Sequence, residues 1–69
     1  MEPSDLERIA RVALRELGAG DAALTIEADQ RPDCWRINVA GKTKAVVRAG
    51  RGTTAQYVRE QIYDQWRPG

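Results

Sequence analysis

The sequence predicts an α+β domain of two layers, in which two helices pack on one face of a three-stranded antiparallel sheet, in the order α-β-β-β-α. Three observations lead to this fold class. Segments near both ends of the chain carry apolar residues at helical spacing. Three shorter segments between them alternate apolar and polar residues, as half-buried strands do. The connections between those strands are too short for a parallel crossover, so the strands should form an antiparallel meander.

The first helix is expected at about residues 4–17. Ser4 and Glu7 have the spacing of a capping box, in which each side chain accepts the backbone N–H of the other residue. Val12 lies off the apolar face of this helix. Gly18 is placed to end it, because glycine adopts the left-handed conformation of a C-terminal cap without steric cost. The apolar face comprises Leu6, Ile9, Ala10, Ala13, Leu14 and Leu17.

Three strands follow, and their alternation assigns side chains to two faces. The residues expected to face the helices are Leu24, Ile26 and Ala28 in the first strand, Trp35, Ile37 and Val39 in the second, and Thr43, Ala45, Val47 and Ala49 in the third. The opposite face is expected to be mildly positive, since it would carry three basic residues and one acid. These are Arg36, Lys44, Arg48 and Glu27.

A glycine-rich turn joins the third strand to the second helix. Gly50 and Gly52 let the backbone reverse sharply, and the threonines that follow are good caps, so the helix should begin near Thr53. A helix start carries partial positive charge and free N–H groups, which suit an anion. Arg48 and Arg51 lie beside it in sequence. The inner face of this helix is expected to comprise Ala55, Val58, Ile62 and Trp66.

The aromatic residues divide into two groups. Trp35 and Trp66 share a face with apolar neighbours and are expected to pack in the core. Tyr57 lies off the apolar stripe of the second helix, so it is the aromatic residue expected to be exposed and able to contact a partner.

Composition limits the class of function. The chain has 69 residues and a formal net charge of +1, so we expect one domain over residues 1–69 with an ordered core at about 4–66. It has no histidine, and its single cysteine, Cys34, has no disulfide partner. Lacking the commonest general base and metal ligand, it is expected not to be an enzyme and to use no metal or cofactor. No apolar segment suggests secretion or a membrane span, so a cytoplasmic bacterial protein is expected.

The element order and the glycine pair before the last helix resemble the double-stranded RNA-binding domain, over about residues 5–66. The pattern of that family before its second helix is roughly Gly-x-Gly-x-Ser-Lys-Lys-x-Ala-Lys. Its glycines match Gly50 and Gly52, its serine matches Thr54, and its last lysine matches Arg59. The resemblance implies phosphate contacts at the start of the second helix. The same strand–glycine–helix ending is similar to the N-terminal domain of ribosomal protein S5.

This chain departs from the family pattern at two places. The consecutive lysines, which in the family face phosphates across the major groove, are replaced by Ala55 and Gln56. In the loop between the first two strands the family has Gly-Pro-x-His. Pro32 matches that proline, and the histidine has no counterpart.

Two functions remain open at this stage. The first is weak, shape-based binding of structured or double-stranded RNA, or of a ribonucleoprotein, through phosphate contacts. The second is a protein-interaction module of the same fold, which the near-neutral charge and the missing lysine pair favour. The chain would be a monomer or a weak homodimer, because the outer strands of the sheet could pair with a second copy. The candidate nucleic-acid-binding residues are Lys42, Lys44, Arg48, Arg51, Thr53, Thr54 and Arg59.

Overall fold

A computed structural model describes residues 2–67 and confirms the predicted α+β architecture. The helices are α1 (Pro3–Glu16) and α2 (Ala55–Gln65), and the strands are β1 (Leu24–Ala28), β2 (Cys34–Val39) and β3 (Lys42–Arg48). The sheet is an antiparallel meander with β2 in the centre. The helices form the second layer, where α1 contacts β1 and α2 contacts β3. Of the expected single domain, Met1, Pro68 and Gly69 lie outside the described residues.

The core lies between the helices and the sheet. Its largest fully buried side chains are Leu6, Leu14, Ile37, Val47, Val58 and Ile62. Trp35 and Trp66 pack against this cluster but are themselves only half-buried, so the two tryptophans border the core that they were expected to anchor. Ala28 and Ala55, predicted to face the core, are exposed because each lies at the end of its element, where the other layer no longer covers it.

The N-terminal cap of α1 differs from the predicted one. The helix begins at Pro3, whose fixed φ and missing N–H suit the first helical position. Glu2 is the N-cap, and its backbone N–H donates to the Asp5 carboxylate at 3.3 Å. The capping box is therefore two residues earlier than predicted. Ser4 lies within the first turn, and its assignment with Glu7 was wrong.

The C-terminus of α1 confirms the predicted glycine cap. Gly18 has a φ of 81°, and the N–H of Ala19 donates to the Leu14 carbonyl at 2.7 Å while the N–H of Gly18 donates to Arg15 at 3.2 Å. These two bonds define a Schellman motif, which satisfies carbonyls that the end of the helix would otherwise leave without donors.

A β-bulge near the start of β3 changes the predicted alternation. Ile37 pairs with Ala45, but the next residue of β2, Asn38, pairs with Thr43. Lys44 is therefore the additional residue of β3, and a bulge of this kind shifts the face that preceding side chains occupy. Thr43 was predicted to face the helices. It is exposed instead, and its hydroxyl donates to the Asn38 side chain at 2.7 Å.

Two glutamines of α2, which we call the glutamine clamp, cover the outer edge of β3. Gln61 accepts the backbone N–H of Arg48 at 2.8 Å and donates to its carbonyl at 3.0 Å. Gln65 bonds Val46 in the same way, at 2.8 and 2.9 Å. Residues four apart on a helix are about 6 Å apart along its axis, and alternate residues of a strand are about 6.6 Å apart. The spacing of Gln61 and Gln65 therefore matches that of Val46 and Arg48. This edge is thus occupied by α2.

Thr54 caps α2, which begins at Ala55, two residues after the start expected near Thr53. Its Oγ1 accepts the backbone N–H of Tyr57 at 3.1 Å. We expect Thr54→Ala to lower the free energy of unfolding by about 1 kcal/mol, because that N–H loses its acceptor. Ser4→Ala is the control, with an expected change below about 0.5 kcal/mol. Urea unfolding measures the free energy of unfolding of both variants. If both variants lost the same amount, the caps would be wrongly assigned.

Candidate nucleic-acid interface

Two loops and the start of α2 enclose an open groove of about 700 Å³ at one end of the sheet. The β1–β2 loop forms one wall, and the end of β3 with the β3–α2 loop forms the other. We call it the arginine groove, because three of its lining residues are arginines. The lining residues that concern its chemistry are Arg31, Asp33, Arg48, Arg51, Thr53 and Tyr57.

Hydrogen bonds hold the two loops against each other. The backbone N–H of Ala49 donates to the Asp33 carbonyl at 2.8 Å, and the Trp35 indole N–H donates to the Ala49 carbonyl at 3.2 Å. A Cβ at Gly50 would lie 3.0 Å from the Asp33 side chain, so any other residue there would have to displace that side chain by a few tenths of an ångström. Tertiary contacts between distant parts of the sequence therefore set the shape of the groove.

The threonines before α2 stabilise the turn that leads into the helix. The Thr53 hydroxyl accepts the backbone N–H of Gly50 at 2.9 Å, and Thr54 caps the helix as described. Both oxygens are acceptors for the protein's own backbone, so a ligand would meet their hydroxyl protons. The N–H groups of Ala55 and Gln56 open α2 and have no acceptor within the helix. Of these residues, Thr53 lines the groove, and Ala55 and Gln56 do not.

The charges in the groove are mostly positive. Neither Arg48 nor Arg51 forms an ion pair with another described residue. Arg31 contacts the Asp29 carboxylate at 3.0 Å. This hydrogen bond lowers the pKa of Asp29 and raises that of Arg31. Among the described residues, Asp33 is the one acid that lines the groove. Two arginines without carboxylate partners and one paired arginine therefore face it.

The predicted site residues do not all lie together. Arg48, Arg51 and Thr53 line the arginine groove, and Thr54 caps the helix beside it. Lys42 stands at the opposite end of β3 from Arg48, about 20 Å away at the rise of a strand.

Lys44 and Arg59 lie away from the arginine groove. The Lys44 ammonium is 5.4 Å from the centre of the Trp66 ring and donates to the Arg67 carbonyl at 2.9 Å. Arg59 belongs to a second, smaller groove of about 450 Å³ between α1 and α2, where Ile9 and Val12 supply apolar surface. The predicted set thus occupies three separate regions of the surface.

Arg31 is the groove residue that the candidate set lacked. In a meander the β1–β2 loop and the end of β3 lie at the same end of the sheet, so strand order alone could have brought it beside Arg48. Tyr57, predicted to be exposed, is 49% exposed and lines the groove, which confirms that prediction.

The sheet face opposite the helices carries a hydrogen-bonded network. Glu27 accepts from Arg36 at 3.2 Å and from Asn38 at 2.7 Å, and Asn38 in turn accepts from Thr43. The Arg36 charge is therefore paired with that of Glu27 on this face.

Comparison of the chain with protein-family models, with curated proteins and with solved structures finds no match. Among residues 2–67, no helix has the length and apolar character needed to cross a lipid bilayer. The same part of the chain holds no group of three or more cysteine, aspartate or glutamate side chains placed to bind a metal ion.

Proposed function

We propose that this protein is a non-enzymatic domain that binds structured RNA weakly, through phosphates held in the arginine groove. The observation that carries the proposal is the meeting of Arg31, Arg48 and Arg51 in one open groove. Guanidinium groups donate paired hydrogen bonds to phosphate oxygens, and they are less strongly hydrated than ammonium groups. Thr53, which lines the same groove, adds a hydroxyl. The resemblance to the double-stranded RNA-binding domain agrees with this function.

Local charge, rather than total charge, would govern the affinity. The net charge of +1 gives little long-range attraction, so the arginines of the groove must supply most of the binding. We expect dissociation constants on the order of 10⁻⁴ to 10⁻⁶ M near physiological salt, as for nonspecific electrostatic binding. Base sequence should have little effect, because the deep major groove of A-form RNA hides the base edges.

The missing lysine pair explains why such binding would be weak. Ala55 and Gln56 are both exposed at the start of α2, so the positions face solvent but lack the charge that the resembled family places there. Ala55→Lys with Gln56→Lys should therefore strengthen binding without disturbing the core.

The test is an NMR titration at low salt with an RNA duplex of about 16 base pairs. Arg48→Gln with Arg51→Gln should weaken binding about tenfold or more and reduce its salt dependence, because fewer counterions are released. The control is Arg15→Gln with Arg67→Gln, which removes equal charge from exposed positions outside the groove. Equal losses would contradict a local site. If neither the wild type nor the double-lysine variant binds, the RNA proposal fails.

The groove between the helices favours the alternative of a protein-interaction module. Val12 is 38% exposed there, next to Ile9 and Ala55, and Arg8 and Arg59 border this apolar strip. Apolar surface with a polar rim is the usual composition of a protein contact. Failure of the RNA titration would leave this surface as the better candidate.

A further inference from the structure

Tyr57 lies in the arginine groove, outside the core cluster and the side chains packed against it. It is one of the two large apolar side chains exposed on the described part of the molecule, at 49%. Its backbone N–H is already bound by Thr54, so the cap of α2 fixes its place in the first turn of the helix. The ring is therefore held beside the groove by a rigid element and remains accessible to a ligand.

The groove combines two features that match the two ends of a nucleotide. Arg48 and Arg51 supply guanidinium groups without carboxylate partners, which suit a phosphate. Tyr57 supplies an aromatic face, on which any of the bases can stack. The volume of about 700 Å³ lies within the range of sites for small organic ligands, about 300–1,000 Å³.

A continuous duplex cannot use both features. Its bases are paired and stacked on one another, so a protein meets mainly phosphates and 2′-hydroxyls. Away from the ends of a duplex, an aromatic ring beside the phosphate site gains a stacking partner only where a base is unpaired. The half-buried Trp35 and Trp66 do not offer such a face in the groove, since neither lines it.

We propose that the arginine groove takes one unpaired nucleotide of an RNA, with its phosphate on Arg48 and Arg51 and its base on Tyr57. The protein would accordingly prefer a duplex that ends in a single-stranded extension to a blunt duplex. This inference rests on the proposed RNA binding and adds the kind of RNA end that the site selects.

The experiment compares three ligands by fluorescence anisotropy competition at low salt: a blunt duplex of about 16 base pairs, the same duplex with an extension of about four nucleotides, and adenosine monophosphate. The wild type should bind the extended duplex about fivefold more tightly than the blunt one. Tyr57→Ala should abolish this difference, while Tyr57→Phe should retain it, since only the ring is required.

The outcomes separate this inference from the function on which it rests. If both duplexes bind equally well to the wild type, the unpaired-nucleotide site is wrong and RNA binding stands. Loss of affinity for both duplexes in Tyr57→Ala would likewise overturn it. If adenosine monophosphate competes as well as the extended duplex, the occupant is a free nucleotide and not an RNA end. If neither duplex binds, RNA binding itself fails. Circular dichroism checks that each variant is folded.

Discussion

Leu14→Ala should lower the free energy of unfolding by about 2–5 kcal/mol. Leu14 is fully buried on the inner face of α1, in the cluster that joins both helices to the sheet. Truncation removes transfer free energy and leaves a cavity that the surrounding side chains fill only in part. A domain of 69 residues has a total stability of about 3–10 kcal/mol. The variant is therefore expected to be mostly unfolded, or to unfold at a much lower urea concentration.

The matched control for this prediction is Val12→Ala. Val12 lies two residues away on the same helix and is 38% exposed, so its truncation should cost less than about 1 kcal/mol. Tryptophan fluorescence measures the urea unfolding of both variants, because Trp35 and Trp66 border the core and their surroundings change when it unfolds. If Val12→Ala were as damaging as Leu14→Ala, the inner face of α1 would be wrongly assigned.

Gln61→Ala with Gln65→Ala should lower the free energy of unfolding by about 1–3 kcal/mol. The double variant removes the four hydrogen bonds of the glutamine clamp. Each contributes about 0.5–1.5 kcal/mol, at the lower end of this range because water can replace bonds at an exposed edge. The backbone N–H groups of Val46 and Arg48 should exchange with deuterium faster, and the uncovered edge should promote self-association.

Gln56→Ala is the control for the clamp. Gln56 belongs to the same helix and is exposed, and its side chain bonds only Glu60, at 3.3 Å, among the described residues. Its truncation should leave both stability and exchange nearly unchanged. If Val46 and Arg48 exchange equally fast in the double variant and in the wild type, the clamp does not protect the edge in solution. Sedimentation at several concentrations would detect the association.

Local sequence patterns predicted the elements well, because helices and strands each repeat their burial with a fixed period. Element ends were harder to place. Two pairs of residues have the spacing of a capping box, Ser4 with Glu7 and Glu2 with Asp5. The second pair forms because Pro3 occupies the first helical position. The bulge that turns Thr43 outward cannot be read from the alternation of apolar and polar residues, because it depends on the pairing of Thr43 with Asn38 in the neighbouring strand.

The candidate site could be predicted only where its residues are neighbours in sequence. Arg48, Arg51 and Thr53 were found because the turn before α2 brings them together. Arg31 comes from the β1–β2 loop, distant in sequence, and only the predicted strand order could have placed it beside Arg48. The role of Gln61 was not predicted for another reason. A polar residue on a helix is expected to face solvent, and its contact with the backbone of Arg48 in β3 is known only once the fold is known.

The glutamine clamp also limits the conformational entropy that the arginine groove would lose when a ligand binds. The Gln61 side chain donates to the carbonyl of Arg48 at 3.0 Å and to that of Tyr57 at 3.5 Å, so one amide joins the backbones of two residues that line the groove. Because this framework is already ordered, binding should restrict mainly the arginine side chains, at about 0.5–1.5 kcal/mol for each one immobilised. In the proposed function, this preorganisation would offset in part the weak attraction that follows from a net charge of +1.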